Sequence, residues 1–175
     1  GSSWNARYFD LTLEVTDPAA WAPHAEQLSR TVGFRSGDSW AFSFTQAPSA
    51  EATGLPIEEQ HHDRTVLLSG GADSAAGALL SAVELGGNHS QSLVSQYSST
   101  AISPVQQGIV SAINELVPGI RQVHHQFHLH RGSRRLDGSS FRSETSTRSR
   151  SLLFLSLGLA IAERAGSTLW IAENG

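Results

Sequence analysis

The residue pattern predicts an α/β protein: a Rossmann-like open parallel sheet over residues 61–175, preceded by a small α+β appendage and linker over 1–60. Three observations lead there. From residue 65 onward, short apolar runs alternate with longer segments of helical character, the order that builds βαβ units with helices on both faces of a sheet. A serine- and glycine-rich turn, Ser69–Ser74, joins the first of these strands to its helix. Charge is also divided, with three arginines against eight acids in residues 1–60 and seven arginines against three acids in residues 131–164. An acidic front and a basic back mark two functional regions, the second suited to an anionic ligand.

In the appendage, Tyr8–Val15 alternates as a strand does. Asp17-Pro18 reads as an N-cap followed by proline at the first helical position, opening a helix to about Thr31. Gly37-Asp38 turns into a second alternating run, Trp40–Phe44. Residues 46–62 are polar and contain proline, and read as a linker in which His61 and His62 are solvated. The second region gives strands at Thr65–Leu68, Ser92–Tyr97, Arg121–His130 and Thr168–Ala172. Helices are expected at Ala75–Leu85, Pro104–Leu116 and Arg148–Ala165, with a polar loop over 131–147. The last helix is apolar on nearly all sides from Leu152 to Ala162, so it is expected to be buried. The sequence stops directly after a strand, so the sheet is expected to be truncated at its C-terminal end.

Composition narrows the chemistry. With 39% hydrophobic and 16% charged residues, this is an ordinary globular composition. The formal charge of −4 argues against a nucleic-acid coat. No cysteine is present, which excludes disulfides, thiolate zinc sites and cysteine nucleophiles within this sequence. No lysine is present either, so no Schiff base and no Walker-type phosphate lysine is available. The longest apolar run is shorter than the roughly 20 residues a bilayer needs. No secretory signal is visible, and the expected location is cytoplasmic.

The segment Val66–Ser74 carries the most information. An apolar strand enters the turn Ser69-Gly70-Gly71-Ala72-Asp73-Ser74 and a helix leaves it. Glycines let backbone approach an anion, and the helix start offers free N–H groups and a positive dipole end. Ser69 and Ser74 are candidate hydroxyl donors to phosphate. Asp73 either binds Mg²⁺ or orients the loop. The plainer alternative is a tight turn capped by Asp73 or Ser74. Further on, Arg148 and Arg150 open an apolar helix. Their guanidinium forks suit phosphate or carboxylate, and cations at a helix N-terminus favour a bound anion nearby.

The hexapeptide resembles the SGGxDS signature of the PP-loop ATP pyrophosphatases at Ser69, Gly70, Gly71, Asp73 and Ser74. With the 144–154 segment and the closing Glu173-Asn174-Gly175, residues 64–175 are similar to the 7-cyano-7-deazaguanine synthase (QueC-like) superfamily. The closer resemblance is to its divergent anti-phage defence branch, the C component of Qat systems, and it extends weakly to Asp38-x-Trp40. The resemblance implies an adenine-nucleotide alpha-hydrolase fold of the HUP type. It implies an enzyme that cleaves ATP to AMP and pyrophosphate and adenylates a 7-deazaguanine-type substrate. A protein partner from the same defence operon is implied as the acceptor.

On that basis Ser69, Gly70, Gly71, Ala72, Asp73 and Ser74 bind the ATP phosphates, with Asp73 on Mg²⁺. Tyr97 lies near the adenine, and Arg148 and Arg150 steady phosphate or the adenylated intermediate with Asp73 and Ser74. Glu144, Glu173 and Asn174 are candidate substrate contacts, and Glu144 is equally a helix cap. The four-cysteine zinc site of the synthase is absent here. Other readings stay open: a PP-loop enzyme of tRNA or nucleoside modification, or a nucleotide-binding module without turnover. His124, His128 and His130 share one strand face, with Gln126 between them, and these histidines are candidates for metal, substrate contact or structure. Arg131, Arg134 and Arg135 form a basic loop, either solvated or facing a nucleic acid or an acidic partner.

Overall fold

The computed structural model describes residues 7–48, 60–129, 132, 134, 138–140 and 148–172, without the side chains of 148–150. The described residues fall into two compact units, the first holding residues 7–48 with 148–149 and the second holding the described residues from 60 to 140 and from 150 to 172.

The first unit is a two-stranded parallel sheet, β1 (Tyr8–Val15) and β2 (Ser39–Gln46), paired from Tyr8↔Ser39 to Val15↔Gln46. Parallel pairing requires a crossover. It is supplied by α1 (Pro18–Trp21), a 3₁₀ turn at Ala22–His24 and α2 (Ala25–Ser36). Asp17 Oδ1 accepts from Ala20 N–H at 3.0 Å, the expected N-cap. The helix runs past Thr31 and through Gly33 to Ser36, and Gly37 ends it in the left-handed region at φ +77°. Trp40 stacks on Phe9 with centroids 4.3 Å apart and donates Nε1–H to Ser36 Oγ at 2.8 Å. Asp38 accepts Arg7 Nη2 at 2.7 Å, and this guanidinium holds its carboxyl below the usual carboxylate range. The Asp38-x-Trp40 element therefore pins β2 to the start of β1.

The second unit holds a four-stranded, all-parallel sheet in the order β5-β4-β3-β6. The strands are β3 (Arg64–Leu67), β4 (Ser90–Tyr97), β5 (Arg121–His128) and β6 (Thr168–Trp170). The helices between them are α3 (Ala72–Leu85), α4 (Ile102–Leu116) and α5 (Arg148–Ala165). The alternating order is thus an α/β fold with a parallel sheet, compatible with a Rossmann-like arrangement. One sheet face packs Val66, Leu68 and Leu93 against Ala78 and Ala82 of α3 and Ile113 of α4. The other face meets α5, where a Cβ on Gly158 would lie 2.5 Å from Leu67 Cδ2 and 3.0 Å from Leu169 Cδ1. Helices therefore cover both faces.

Two expectations about burial change. The α5 helix is not buried all round: Gly158, Ile161, Ala162 and Ala165 are buried, whereas Leu153 and Leu159 are 43% and 58% exposed. A helix against one sheet face buries one stripe at i, i+3, i+4, i+7 spacing, and its remaining leucines lie outside that stripe. His62 is buried at 8% exposure, not solvated, and its backbone N–H bonds Ala165 O just before β6.

The core is unusually polar along β4, where Ser90 to Ser95 are all buried. Gln91 accepts Ser81 Oγ–H at 2.7 Å and donates to Gln122 Oε1 at 2.8 Å and Ala78 O at 3.3 Å. Such groups are tolerated in a core when every polar atom has a partner.

Candidate functional site

β3 and β6 are neighbours, yet their connections leave toward opposite sides of the sheet: α3 leads from β3 to β4, and α5 leads from β5 to β6. The carboxyl ends of such a pair form a topological switch point, where open α/β sheets bind ligands. A cavity of about 460 Å³ lies there, walled by Ser69, Gly71, Asp73, Ser74, Phe154 and Ala172 among others. That size falls in the range of small-molecule sites. A second cavity of about 230 Å³ shares Ser69 and Phe154 with the first and adds Gln96, Tyr97 and Ile102.

The turn after β3 is shaped by glycine. Gly70 has φ +97°, a conformation L side chains avoid. Gly71 is the N-cap of α3, extended at φ −85° and ψ 166°, with no side-chain cap hydrogen bond. The helix thus starts at Ala72, three residues before the expected Ala75. Asp73 and Ser74 lie inside the first turn, so neither is the cap. A glycine cap leaves the first N–H groups of the helix open toward the cavity, where a serine or aspartate cap would occupy one. Ser74 instead donates Oγ–H to Gly71 O at 2.9 Å, and Ser69 donates Oγ–H to Ser74 Oγ at 2.9 Å. Ser69 Oγ also accepts Gly71 N–H at 3.4 Å. These hydroxyls brace the loop internally, and the donors left at the helix start are backbone amides. Asp73 is exposed on the wall and supplies a carboxylate oxygen there.

Around this loop the structure brings together most of the expected set. Ser69, Gly71, Ala72, Asp73 and Ser74 line the larger cavity, and Gly70 forms the turn between them. Tyr97 lines the smaller cavity and stacks on His128 at 4.8 Å and 10° between planes. Arg148 and Arg150 lie in the first turn of α5, one to three residues before the cavity residue Ser151. Their side chains lie outside the described residues, as do Glu144, Glu173, Asn174, His130, Arg131 and Arg135 entirely.

The described histidines of the β5 face make other contacts, and His130 lies outside the described residues. His124 Nε2 lies 2.8 Å from Ser95 Oγ, and His128 is the stacking partner of Tyr97. Among the described residues no group of three or more His, Asp or Glu is placed to hold a metal. Burial first, and then the nearby His125, lower the His124 pKa to about 4, so its ring is neutral at pH 7.

Of four residues behind the loop, Ser95 and Gln106 carry no sequence signal as site residues, whereas His124 and Gln126 lie on the strand face singled out above. Ser95 Oγ–H reaches Leu68 O at 2.7 Å, and Gln106 Nε2 reaches Ser69 O at 3.0 Å. The shared strand face of His124 and Gln126 was the one available hint.

Comparison with protein-family models, curated proteins and solved structures gives no match. Among the described residues no helix is long and apolar enough to cross a membrane.

Proposed function

We propose that the chain is a PP-loop ATP pyrophosphatase of the adenine-nucleotide alpha-hydrolase (HUP) type, similar to the 7-cyano-7-deazaguanine synthases. It adenylates a 7-deazaguanine-type substrate in the cytoplasm and modifies a protein partner encoded in the same anti-phage defence operon. The observation that carries this reading is the Ser69–Ser74 loop, glycine-capped and open to a cavity at the sheet's switch point. Backbone N–H groups and a helix dipole are sufficient for phosphate without a lysine. The exposed Asp73 carboxylate fits Mg²⁺, which takes one or two protein carboxylates and completes its shell with phosphate and water oxygens. The aromatic Tyr97 in the adjoining cavity fits a purine face.

In this reaction a substrate oxygen attacks the α-phosphorus. The bond to the bridging oxygen breaks and pyrophosphate leaves with the electron pair. A nitrogen nucleophile then displaces AMP. The loop amides stabilise the negative charge that builds on the phosphates.

Product analysis tests the reading. With ATP, Mg²⁺ and a 7-deazaguanine, the protein is expected to yield AMP and pyrophosphate, and Asp73→Ala is expected to lower the rate by roughly 100-fold or more. ADP and phosphate as products, or ATP binding without turnover in the presence of the partner protein, would overturn it.

A further inference from the structure

We propose that Gln106 is a positioning residue for the Ser69–Ser74 loop and that Gln126 holds it in that role. The role rests on the reading of that loop as the phosphate-binding element.

Gln106 lies on α4 with no exposed surface. Its Nε2 donates to Ser69 O at 3.0 Å and to Gln96 O at 3.3 Å. Its Oε1 accepts from Gln126 Nε2 at 3.0 Å. Both N–H donors of the amide are therefore spent on two backbone carbonyls, one after β3 and one near the end of β4. Ser69 and Gln96 also line the smaller cavity, so a single side chain sets the spacing of two of its walls.

The orientation follows from peptide geometry. Across a trans peptide the carbonyl and the next N–H point in opposite directions. Drawing Ser69 O toward α4 sends the N–H of Gly70 away from α4. The Gln106 stem packs beneath the same turn: a Cβ on Gly70 would lie 3.3 Å from Gln106 Cγ. The preceding carbonyl is held in the same manner. Ser95 Oγ–H goes to Leu68 O, so His124 Nε2–H donates to Ser95 Oγ. Two consecutive loop carbonyls are thus fixed by buried side chains of β4 and α4, each backed by a residue on β5.

Gln126 is itself anchored. It donates to Ser103 O at 3.2 Å and accepts from Ser103 Oγ at 3.3 Å and Gln107 Nε2 at 3.0 Å. Its amide orientation is thereby determined, and with it that of Gln106. Glutamate at 106 would bring an acceptor against two carbonyl oxygens, which no rotation of the side chain relieves.

The test uses the full chain with Gln106→Glu, nearly isosteric, and Gln126→Ala at the sheet edge. Asn114→Ala, which removes the neighbouring α4–β5 bond to Gln122 (2.7 Å), is the control. Two readouts are taken: the backbone amide resonances of Gly70 and Gly71 without ligand, and the affinity for inorganic pyrophosphate and for ATP with Mg²⁺. In Gln106→Glu the Gly70 and Gly71 resonances are expected to shift or broaden, and affinity to fall about tenfold or more. Gln126→Ala is expected to do the same to a smaller degree, and Asn114→Ala to leave both unchanged. Unchanged resonances or unchanged affinity in folded Gln106→Glu would overturn the proposal. If that variant does not fold, Gln126→Ala decides by the same criteria. Wild-type protein that binds neither probe would refute the nucleotide reading, while the Gly70 resonances still decide whether Gln106 positions the loop.

Discussion

His124 links the loop's support to pH. Burial and then His125 depress its pKa to about 4, and burial is also the leading cause of the lowered values of His62 and His125. In the unfolded chain these rings titrate near 6.5. Above that value both states are neutral and stability is at its full level. As pH falls from 6.5 toward 4 the unfolded chain takes up protons that the folded His124 refuses, and stability is lost across that window. The shift of His124 corresponds to about 3 kcal/mol at most. Urea unfolding at pH 7 and pH 5 is expected to show the drop, and His124→Gln to reduce it. An equal slope in wild type and variant would exclude His124 as its source. At this scale the turn itself was legible because glycine, serine and aspartate between an apolar strand and a helix mark a strand-to-helix junction. Gln106 and Ser95 were not. Each sits in an ordinary polar position, and only the pairing of β4 with β3 and α4 with the loop gives it a carbonyl to hold.

At the scale of elements, α5 shows how a helix is placed by what it lacks. Gly158 allows the helix axis to come close enough for Leu67 and Leu169 to pack against bare backbone. Adding one methyl there forces the two leucines or the helix to shift, a small-to-large change that costs about 1–3 kcal/mol. Gly158→Ala is expected to lower the urea midpoint accordingly, despite alanine's better helix propensity. A stabilised Gly158→Ala would mean that α5 is free to move off the sheet. The span of α5, Arg148–Ala165, was legible from its continuous apolar content between a polar loop and Gly166. Its exposure was not, since an all-round apolar sequence does not say which side meets the sheet. The early start of α3 escaped for a related reason: glycine reads equally as loop and as cap until its φ and ψ are known.

For the whole molecule, alternation of strands and helices was enough to give a parallel sheet, because parallel strands need crossovers of that length. The order β5-β4-β3-β6, and hence the location of the cavity, was not contained in the pattern. Nor did the pattern show that the first unit would pair its strands in parallel. The polar interior of β4 has a calorimetric consequence. Exposure of apolar surface raises the heat capacity of unfolding by about 0.45 cal/K/mol per Å², whereas exposure of polar surface lowers it by about 0.26. A central strand carrying Ser90, Gln91, Ser92 and Ser95 therefore exposes side chains that subtract from the total. Scanning calorimetry is expected to give a heat capacity increment no higher than the usual ~12–15 cal/mol/K per residue, and a value above that range would contradict this. The unfolding enthalpy then rises slightly less steeply with temperature, and the stability curve is slightly flatter, than a wholly apolar strand at this place would give.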